Sequence, residues 1–211
     1  DSRVSDSSAP PAPLSRVSAA REMRKDPEKS LAYLVERLPI KYLSSATYPV
    51  VWDYEIRSGQ IGSKTFEEWT PDNTYYISGN LDIYGKITIL PGTVVKIAPN
   101  ASINVVGGGA RVIAKGEPYD YVVFTNAKDN TCGEKIDDAL PGRYTFGINV
   151  SKTTSYCQSV IQYCKFGHGT VAIVMYQPLE TPIANNIIRD MSYAGIAVFT
   201  WFTHCRNNLI I

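Results

Sequence analysis

A short motif near the C-terminal end of the sequence returns after 22 residues. Residues 184–188 read ANNII, residues 206–210 read RNNLI, and a further step back of 22 reaches QYCKF at 162–166. Asn186 and Asn208 therefore share one column of the repeat, together with Cys164. This period is too short for paired-helix repeats, which need about 33 residues or more. It suits one turn of a parallel β-coil, whose coils stack at the inter-strand spacing of about 4.8 Å.

Alternating apolar residues extend the coil pattern toward the N-terminus. In ITILPGTVVKIAPN (87–100), isoleucines and valines face inward, Lys96 faces outward, and a Pro-Gly pair turns the chain. The same pattern indicates β-structure from Thr74 onward. In the stacked coils, the amides of Asn186 and Asn208 are predicted to form a structural ladder, each hydrogen-bonding to the next coil.

These segments carry a recognisable set of strand and corner motifs. Residues 76–127 contain an apolar-x-apolar-Pro-Gly corner, a V-x-G strand, an A-x-G strand and an apolar-x-F-T ending. YTFGINV (144–150) and GIAVFT (195–200) have the form of Gly-Ile strands. With these motifs the chain resembles right-handed parallel β-helix repeat proteins, the pectin-lyase-like group. The resemblance implies an all-β, single-stranded, right-handed parallel β-helix of about six coils.

The residues before Thr74 do not follow this pattern. Residues 1–14 are rich in Ser, Pro and Ala and are predicted to be a flexible leader. Residues 15–73 are predicted to form a helical cap followed by an aromatic wrap. Asp26 and Pro27 suit a helix start, and Leu31, Leu34, Val35 and Leu38 make one apolar stripe. Such an α-helical cap would cover the first coil of a β-helix spanning 74–211, which we expect to be truncated at its C-terminal end.

Composition limits the partners of the chain. The net charge is +1, which gives no electrostatic case for nucleic acid, and no apolar run reaches the roughly 18 residues of a membrane span. The sequence starts at Asp1, and a removed secretory signal would account for this, so we expect a secreted or cell-surface protein. An open apolar strand edge at NLII invites pairing, either with further coils of a longer β-helix or, as the alternative, with another subunit through end-to-end self-association.

An acidic loop is the candidate metal site. Residues 126–141 interrupt the coil pattern and hold Asp129, Glu134, Asp137 and Asp138. Calcium takes six to eight oxygen ligands, and this loop could supply some of them. The spacing matches no EF-hand, and two lysines dilute the charge, so we expect no cofactor, with calcium as the alternative.

His168 and Asp190 are 22 residues apart, so they are expected to lie as neighbours on adjacent coils. A histidine–carboxylate pair with Arg189 beside it could perform general acid–base chemistry, whereas an exposed pair is more often a surface contact. The resemblance implies that lyases of this fold hold calcium with carboxylates and abstract a proton with Arg or Lys. The visible coils show no cluster of outward carboxylates, so we assign no catalytic residue.

Other surface residues suggest binding or modification. Tyr176, Trp201 and Phe202 could offer an aromatic surface for sugars, and the alternative is a packing cluster. Asn100 and Asn149 begin Asn-x-Ser sequons, which are glycosylation sites if the source is eukaryotic. Cys157 and Cys164 could form a disulfide, or remain buried free thiols.

Two functions from different classes follow. The first is an extracellular, non-catalytic module that acts as a rigid structural, adhesive or carbohydrate-contacting surface toward a polysaccharide or cell-surface partner. The second is a polysaccharide lyase or glycoside hydrolase acting on acidic polysaccharide. Side chains suited to stacking outnumber those suited to chemistry, which favours the first.

Overall fold

The computed structural model describes residues 54–136, 140–152, 158–177, 182–200 and 203–211. Within these ranges the chain forms strands, turns and loops and no helix. The strands, in chain order, are β1 Tyr54–Ile61, β2 Phe66–Trp69, β3 Thr74–Ile83, β4 Lys86–Ile89, β5 Val94–Ile97, β6 Ser102–Val106, β7 Arg111–Lys115, β8 Val122–Asn126, β9 Tyr144–Lys152, β10 Val160–Gln162, β11 Cys164–Gly167, β12 Gly169–Met175, β13 Ile183–Ala184, β14 Ile187–Arg189, β15 Ala194–Val198, β16 Cys205–Arg206 and β17 Leu209–Ile210.

The strands wind into a parallel β-solenoid of about six turns with three faces. Face A runs from the first halves of β1 and β3 through β5, β8, β11 and β14 to β17. Face B runs from the second halves of β1 and β3 through β6, β9 and β12 to β15. Face C consists of β2, β4, β7, β10, β13 and β16. All pairings between these strands are parallel, which confirms the predicted parallel β-helix; its right-handed sense stays a prediction.

The 22-residue period is the register of the last coils. Lys165 pairs with Ile187, and Ile187 pairs with Leu209, each one coil later. Earlier coils differ in length: Thr74 pairs with Val94 after 20 residues, whereas Val122 pairs with Cys164 after 42. Most additional residues lie in the corners between strands, and on face B bulges also shift the register within the β1–β3 and β6–β9 pairs.

The inward columns form one continuous apolar core. Face B contributes Ile61, Ile83, Val105, Val150 and Met175, which succeed one another coil by coil and are all buried. On face A, Phe124 and Phe166 stack with ring centroids 4.7 Å apart. Burial of these columns supplies the apolar area that drives folding, at roughly 25 cal/mol per Å².

The tight corners place non-glycine residues in the left-handed region. Between faces C and A the residues are Tyr163, Asn185 and Asn207, with φ of 51°, 59° and 53°. Between faces A and B they are His168 and Asp190, with φ of 60° and 54°. Asn and Asp adopt this conformation more readily than other side chains, which explains their recurrence at this period.

The structure revises the N-terminal boundary of the solenoid. β1 and β2 already form a coil, so the strands begin at Tyr54 rather than at Thr74, inside the segment predicted as an irregular wrap. The sequence of β1, YEIRSGQI, hides this because most of its side chains are polar or exposed. The predicted leader (1–14), the helix over 15–38 and the rest of the wrap up to residue 53 lie outside the described residues. No helix of the length and hydrophobicity needed to cross a membrane occurs in the described ranges.

Candidate functional site

A groove of about 400 Å³ lies on the outer surface of face A, across β8, β11 and β14. Its floor is built by the outward side chains of these three strands, and its wall by the loop that follows β8. The floor residues are Val123, Thr125, Lys165, Gly167, Ile187 and Arg189, and the wall residues are Asp129, Thr131 and Cys132. A second open hollow of about 420 Å³ shares Asp129 and continues around the corner to Lys128, Arg143 and His168.

The loop that forms this wall, residues 127–136, is here named the cover loop. Its far end lies on face A of the earlier coils, where the Glu134 N–H donates to Thr74 Oγ1 at 2.9 Å. Ile136 packs with Tyr54 and Tyr76 in a small apolar cluster. These contacts attach the cover loop to the earlier coils of the solenoid. The wall of the groove is therefore held in place by contacts that lie outside the groove.

Lys96 lies beneath the cover loop. It belongs to the outward column, as the alternation predicts, but it is 0% exposed because the loop covers it. Its Nζ donates to the carbonyl oxygen of Glu134 at 2.5 Å. Burial lowers the pKa of Lys96, while the nearby acidic groups of Cys132, Asp129 and Glu134 act in the opposite direction. Lys96 therefore anchors the loop from below.

Asp129 organises the near end of the cover loop. Its Oδ1 accepts hydrogen bonds from the backbone N–H and the hydroxyl of Thr131, at 2.9 and 2.6 Å. Its Oδ2 accepts the hydroxyl of Thr125 at 2.7 Å. Burial alone would raise the pKa of Asp129, but these hydrogen bonds and the charge of His168 outweigh it and lower the pKa to about 2. The carboxylate is thus ionised, and both of its oxygens already accept hydrogen bonds. It therefore stabilises the wall of the groove and is a poor proton acceptor.

The candidate calcium ligands do not converge in the described part of the chain. Asp129 uses both oxygens on Thr125 and Thr131, and Glu134 contributes its carbonyl oxygen to Lys96. No set of three His, Cys, Asp or Glu side chains with metal-binding geometry occurs among the described residues. Asp137 and Asp138 lie outside them.

The corner between faces A and B brings the predicted polar pair together. His168 Nδ1 lies 3.7 Å from Asp190 Oδ2, and Arg189 Nε lies 3.9 Å from the same oxygen. These side chains are between 41% and 56% exposed, so water screens their interaction. Arg143 crosses the corner and donates to the carbonyl oxygens of Gly169 and Asp190. The pair is reachable by a ligand in the second hollow.

Tyr176 has an aromatic partner that the sequence analysis did not identify. Its ring stacks on Phe199 one coil later, with centroids 4.8 Å apart and planes at 11°. Both rings are largely exposed, but each uses one face for the other. Sugars stack on ring faces, so this pair offers less surface to a glycan than two separate rings would. Trp201 and Phe202 lie outside the described residues.

Asn186 and Asn208 are joined across adjacent coils. Asn186 Nδ2 donates to Asn208 Oδ1 at 3.0 Å and to the carbonyl oxygen of Ile161 at 3.1 Å. Asn186 Oδ1 accepts from the backbone N–H of Cys164 at 2.9 Å. Burial raises the pKa of the Cys164 thiol, which is free and enclosed by the core. Cys157, its suggested disulfide partner, lies outside the described residues.

Face B carries a second polar ladder that sequence reasoning missed. Asn104 Nδ2 donates to Asp82 Oδ1 at 2.8 Å, and Asn149 Nδ2 donates to Asn104 Oδ1 at 3.0 Å. Asp82 and Asn104 are 22 residues apart, so the repeat spacing indicated this pair. The spacing does not extend to Asn149, because the fourth coil is longer than the others. Asn149 is only 9% exposed with its amide nitrogen engaged, which disfavours a glycan on the folded chain. Asn100 is exposed at a left-handed corner.

Comparison with known proteins assigns no family to this geometry. No protein-family model, no curated protein and no solved structure matches the chain.

Proposed function

We propose that this chain is an extracellular, non-catalytic β-solenoid module that holds a glycan in the groove on face A. The observation that carries the proposal is the groove itself, about 400 Å³ in volume and open along three successive coils. An extended chain of sugars lying along the solenoid axis would meet two outward positions on each coil. The corner and strand motifs of the pectin-lyase-like group, whose fold class the parallel solenoid matches, support a carbohydrate ligand.

The lining of the groove suits a sugar. Val123 and Ile187 give apolar surface for the CH-rich face of a pyranose ring, while Thr125, Lys165 and Arg189 offer polar groups to its substituents. Binding sites of this kind combine apolar walls with a few placed polar groups. The floor consists of paired strands, so the groove is preorganised and loses little entropy on binding.

The state of Asp129 favours binding over catalysis. A general base works best with a pKa near the operating pH, and Asp129 has a pKa of about 2. Both of its oxygens also accept hydrogen bonds from its own loop. A water or sugar hydroxyl would have to displace Thr125 or Thr131 before it reached this carboxylate.

A lyase or hydrolase acting on acidic polysaccharide is the second candidate, and the His168–Asp190 contact is the observation that favours it. The pair lies 3.7 Å apart at the edge of the second hollow, with Arg189 beside it. Incubation with oligogalacturonate, followed by ultraviolet absorbance for unsaturated products and a reducing-end assay, tests this candidate. Turnover that disappears in His168→Gln would make the module an enzyme.

A glycan array followed by calorimetry tests the binding proposal. Gly167→Val places a side chain in the groove: a Cβ at Gly167 meets Thr125 Oγ1 at 3.7 Å, an ordinary contact, and circular dichroism of the variant checks that the fold is retained. We expect the variant to weaken binding of any array hit at least about tenfold, or 1.4 kcal/mol. Gly79→Val is the matched control because its Cβ meets only Ser58 Cβ at 3.8 Å. Equal binding by Gly167→Val and the wild type would exclude the groove as the site.

A further inference from the structure

We infer that the floor of the groove contains an anion subsite at Gly167, where Lys165 and Arg189 bind one carboxylate or sulfate group of the ligand. The inference deepens the proposed function, since it names the chemistry of the glycan at that site. The tests below are chosen so that the subsite and the glycan function can fail separately.

Gly167 makes a notch in an otherwise filled column of face A. The column carries Ile56, Tyr76, Lys96 and Thr125 on the earlier coils and Arg189 on the next one. A Cβ built at Gly167 would lie 3.7 Å from Thr125 Oγ1 and 3.8 Å from Arg189 Nε. The missing side chain therefore leaves a space bordered by a hydroxyl on one side and a guanidinium on the other.

Lys165 provides the second cation. It lies two residues before Gly167 on β11, so its side chain projects from the same face of the strand. Its Nζ lies 4.7 Å from the centroid of the Tyr121 ring, a neutral partner. Among the described residues no carboxylate lies within ion-pair distance of Lys165. Lys165 is exposed, so its side chain can turn from Tyr121 toward Gly167 and bring its charge to a bound anion.

Arg189 is only weakly neutralised. The single contact of its Nε with Asp190 Oδ2 is 3.9 Å long, and both side chains are more than half exposed. A pair of this kind contributes about 1 kcal/mol or less. The planar guanidinium can bind a carboxylate or sulfate through two parallel hydrogen bonds, and one long contact to Asp190 does not prevent this.

The surface around the groove is positively charged because several cationic side chains lie there, although the chain as a whole is nearly neutral. The whole sequence has a net charge of +1. The described residues lining the groove and the adjoining hollow include the cations Arg143, Lys165 and Arg189 and one carboxylate, Asp129. Arg143 is engaged with backbone carbonyls, which leaves its charge in place. Clefts lined by one sign of charge concentrate counter-ions of the other sign.

Titration with simple anions tests the subsite without any glycan. Sodium sulfate and sodium acetate are added to the ¹⁵N-labelled chain against sodium chloride at equal ionic strength, and the Gly167 amide and Arg189 Nε–H signals are followed. We expect saturable shifts at both positions. Lys165→Gln and Arg189→Gln should each weaken the apparent affinity at least about fivefold, in line with loss of a charged hydrogen bond. Lys115→Gln, an exposed lysine at the end of β7 on face C, is the matched control.

Oligosaccharides then identify the source of the anion. Oligogalacturonate presents carboxylates, heparin-derived hexasaccharide presents sulfate esters, and cello-oligosaccharide is neutral. We expect one charged oligosaccharide to bind more tightly than the neutral one, with affinity that falls as salt rises. Arg189→Gln should remove that advantage, so that the charged and the neutral oligosaccharide bind the variant with similar affinity.

Each outcome decides the inference. If sulfate or acetate saturates the Gly167 signal and no oligosaccharide binds, the anion subsite stands and the glycan function fails. If neutral and charged oligosaccharides bind equally and the charge variants match the wild type, the glycan function stands and the subsite is refuted. Absence of any saturable shift with either simple anion also refutes it.

Discussion

Replacing Asn186 with alanine tests whether the amide ladder stabilises the solenoid. The side chain is 1% exposed and satisfies two interior backbone groups, the Cys164 N–H and the Ile161 carbonyl. Without the amide these groups have no partner. A buried unsatisfied group costs about 1–3 kcal/mol, so two cost about 2–6 kcal/mol, and we expect a loss near 4 kcal/mol.

Asn208→Ala should cost less than Asn186→Ala. Asn208 is half-buried, so water can replace its bonds to the Ile183 carbonyl and the Asn186 N–H. We expect a loss of about 1–2 kcal/mol. In the double variant the losses should fall short of their sum by about 1 kcal/mol, because the two amides bond to each other. Asn80→Ala, an exposed strand position, is the control and should change stability by less than about 0.5 kcal/mol.

Two measurements test these predicted losses of stability. Guanidinium unfolding followed by circular dichroism gives the change in the free energy of unfolding. Because the strands of each coil pair only with the neighbouring coils, the effect should also be local, and hydrogen exchange at the Cys164 amide should accelerate in Asn186→Ala. A loss below about 1 kcal/mol with unchanged protection of that amide would show that the ladder is an incidental contact.

Three further variants probe the corner and the cover loop. Gly169→Ala should lower the free energy of unfolding by about 1–3 kcal/mol or more, since its Cβ would overlap the buried ring of Tyr144, whereas Gly167→Ala should match the wild type. Because the pKa of Asp129 is lowered, the unfolded chain binds more protons than the folded one between pH 3.8 and about 2. The free energy of unfolding should therefore decrease as the pH is lowered across that window. Asp129→Asn should make this decrease smaller, as measured by urea unfolding at a series of pH values. The lowered pKa of Lys96 gives a contribution to stability that rises toward pH 10.5 and opposes the alkaline loss caused by the raised pKa values of Cys164 and Tyr144. Lys96→Met should therefore steepen the fall of the thermal unfolding temperature at alkaline pH.

The sequence was most informative where coils have equal length. The spacing of Asn186 and Asn208 predicted stacked coils, and the parallel register of Lys165, Ile187 and Leu209 confirms them. The left-handed residues are the neighbours Asn185 and Asn207, one position before the ladder. The start of the solenoid at Tyr54 was missed because an edge coil does not need an apolar pattern to pair its backbone.

The candidate site was less predictable because its walls come from distant positions in the sequence. Alternation placed Lys96 on the outside, but its burial depends on a loop that begins some 30 residues later. The proximity of His168 and Asp190 followed from the period. The notch at Gly167 had no signal, since a glycine in a strand gives no indication of which neighbours border it. The stacking of Tyr176 on Phe199 spans 23 residues, one more than the period, which obscured the pair.

The unequal coils also describe how such a chain can change over time. The strands of each coil pair only with the coils beside them, and the additional residues of the fourth turn leave the stack after β8 and return to it at β9. The segment between β8 and β9 can therefore change in length without changing the strand pairing, while the contacts with Thr74, Tyr76 and Lys96 restrain the sequence of the cover loop. New recognition surfaces can arise there by replacement of a single loop, while the strands beneath it remain the same.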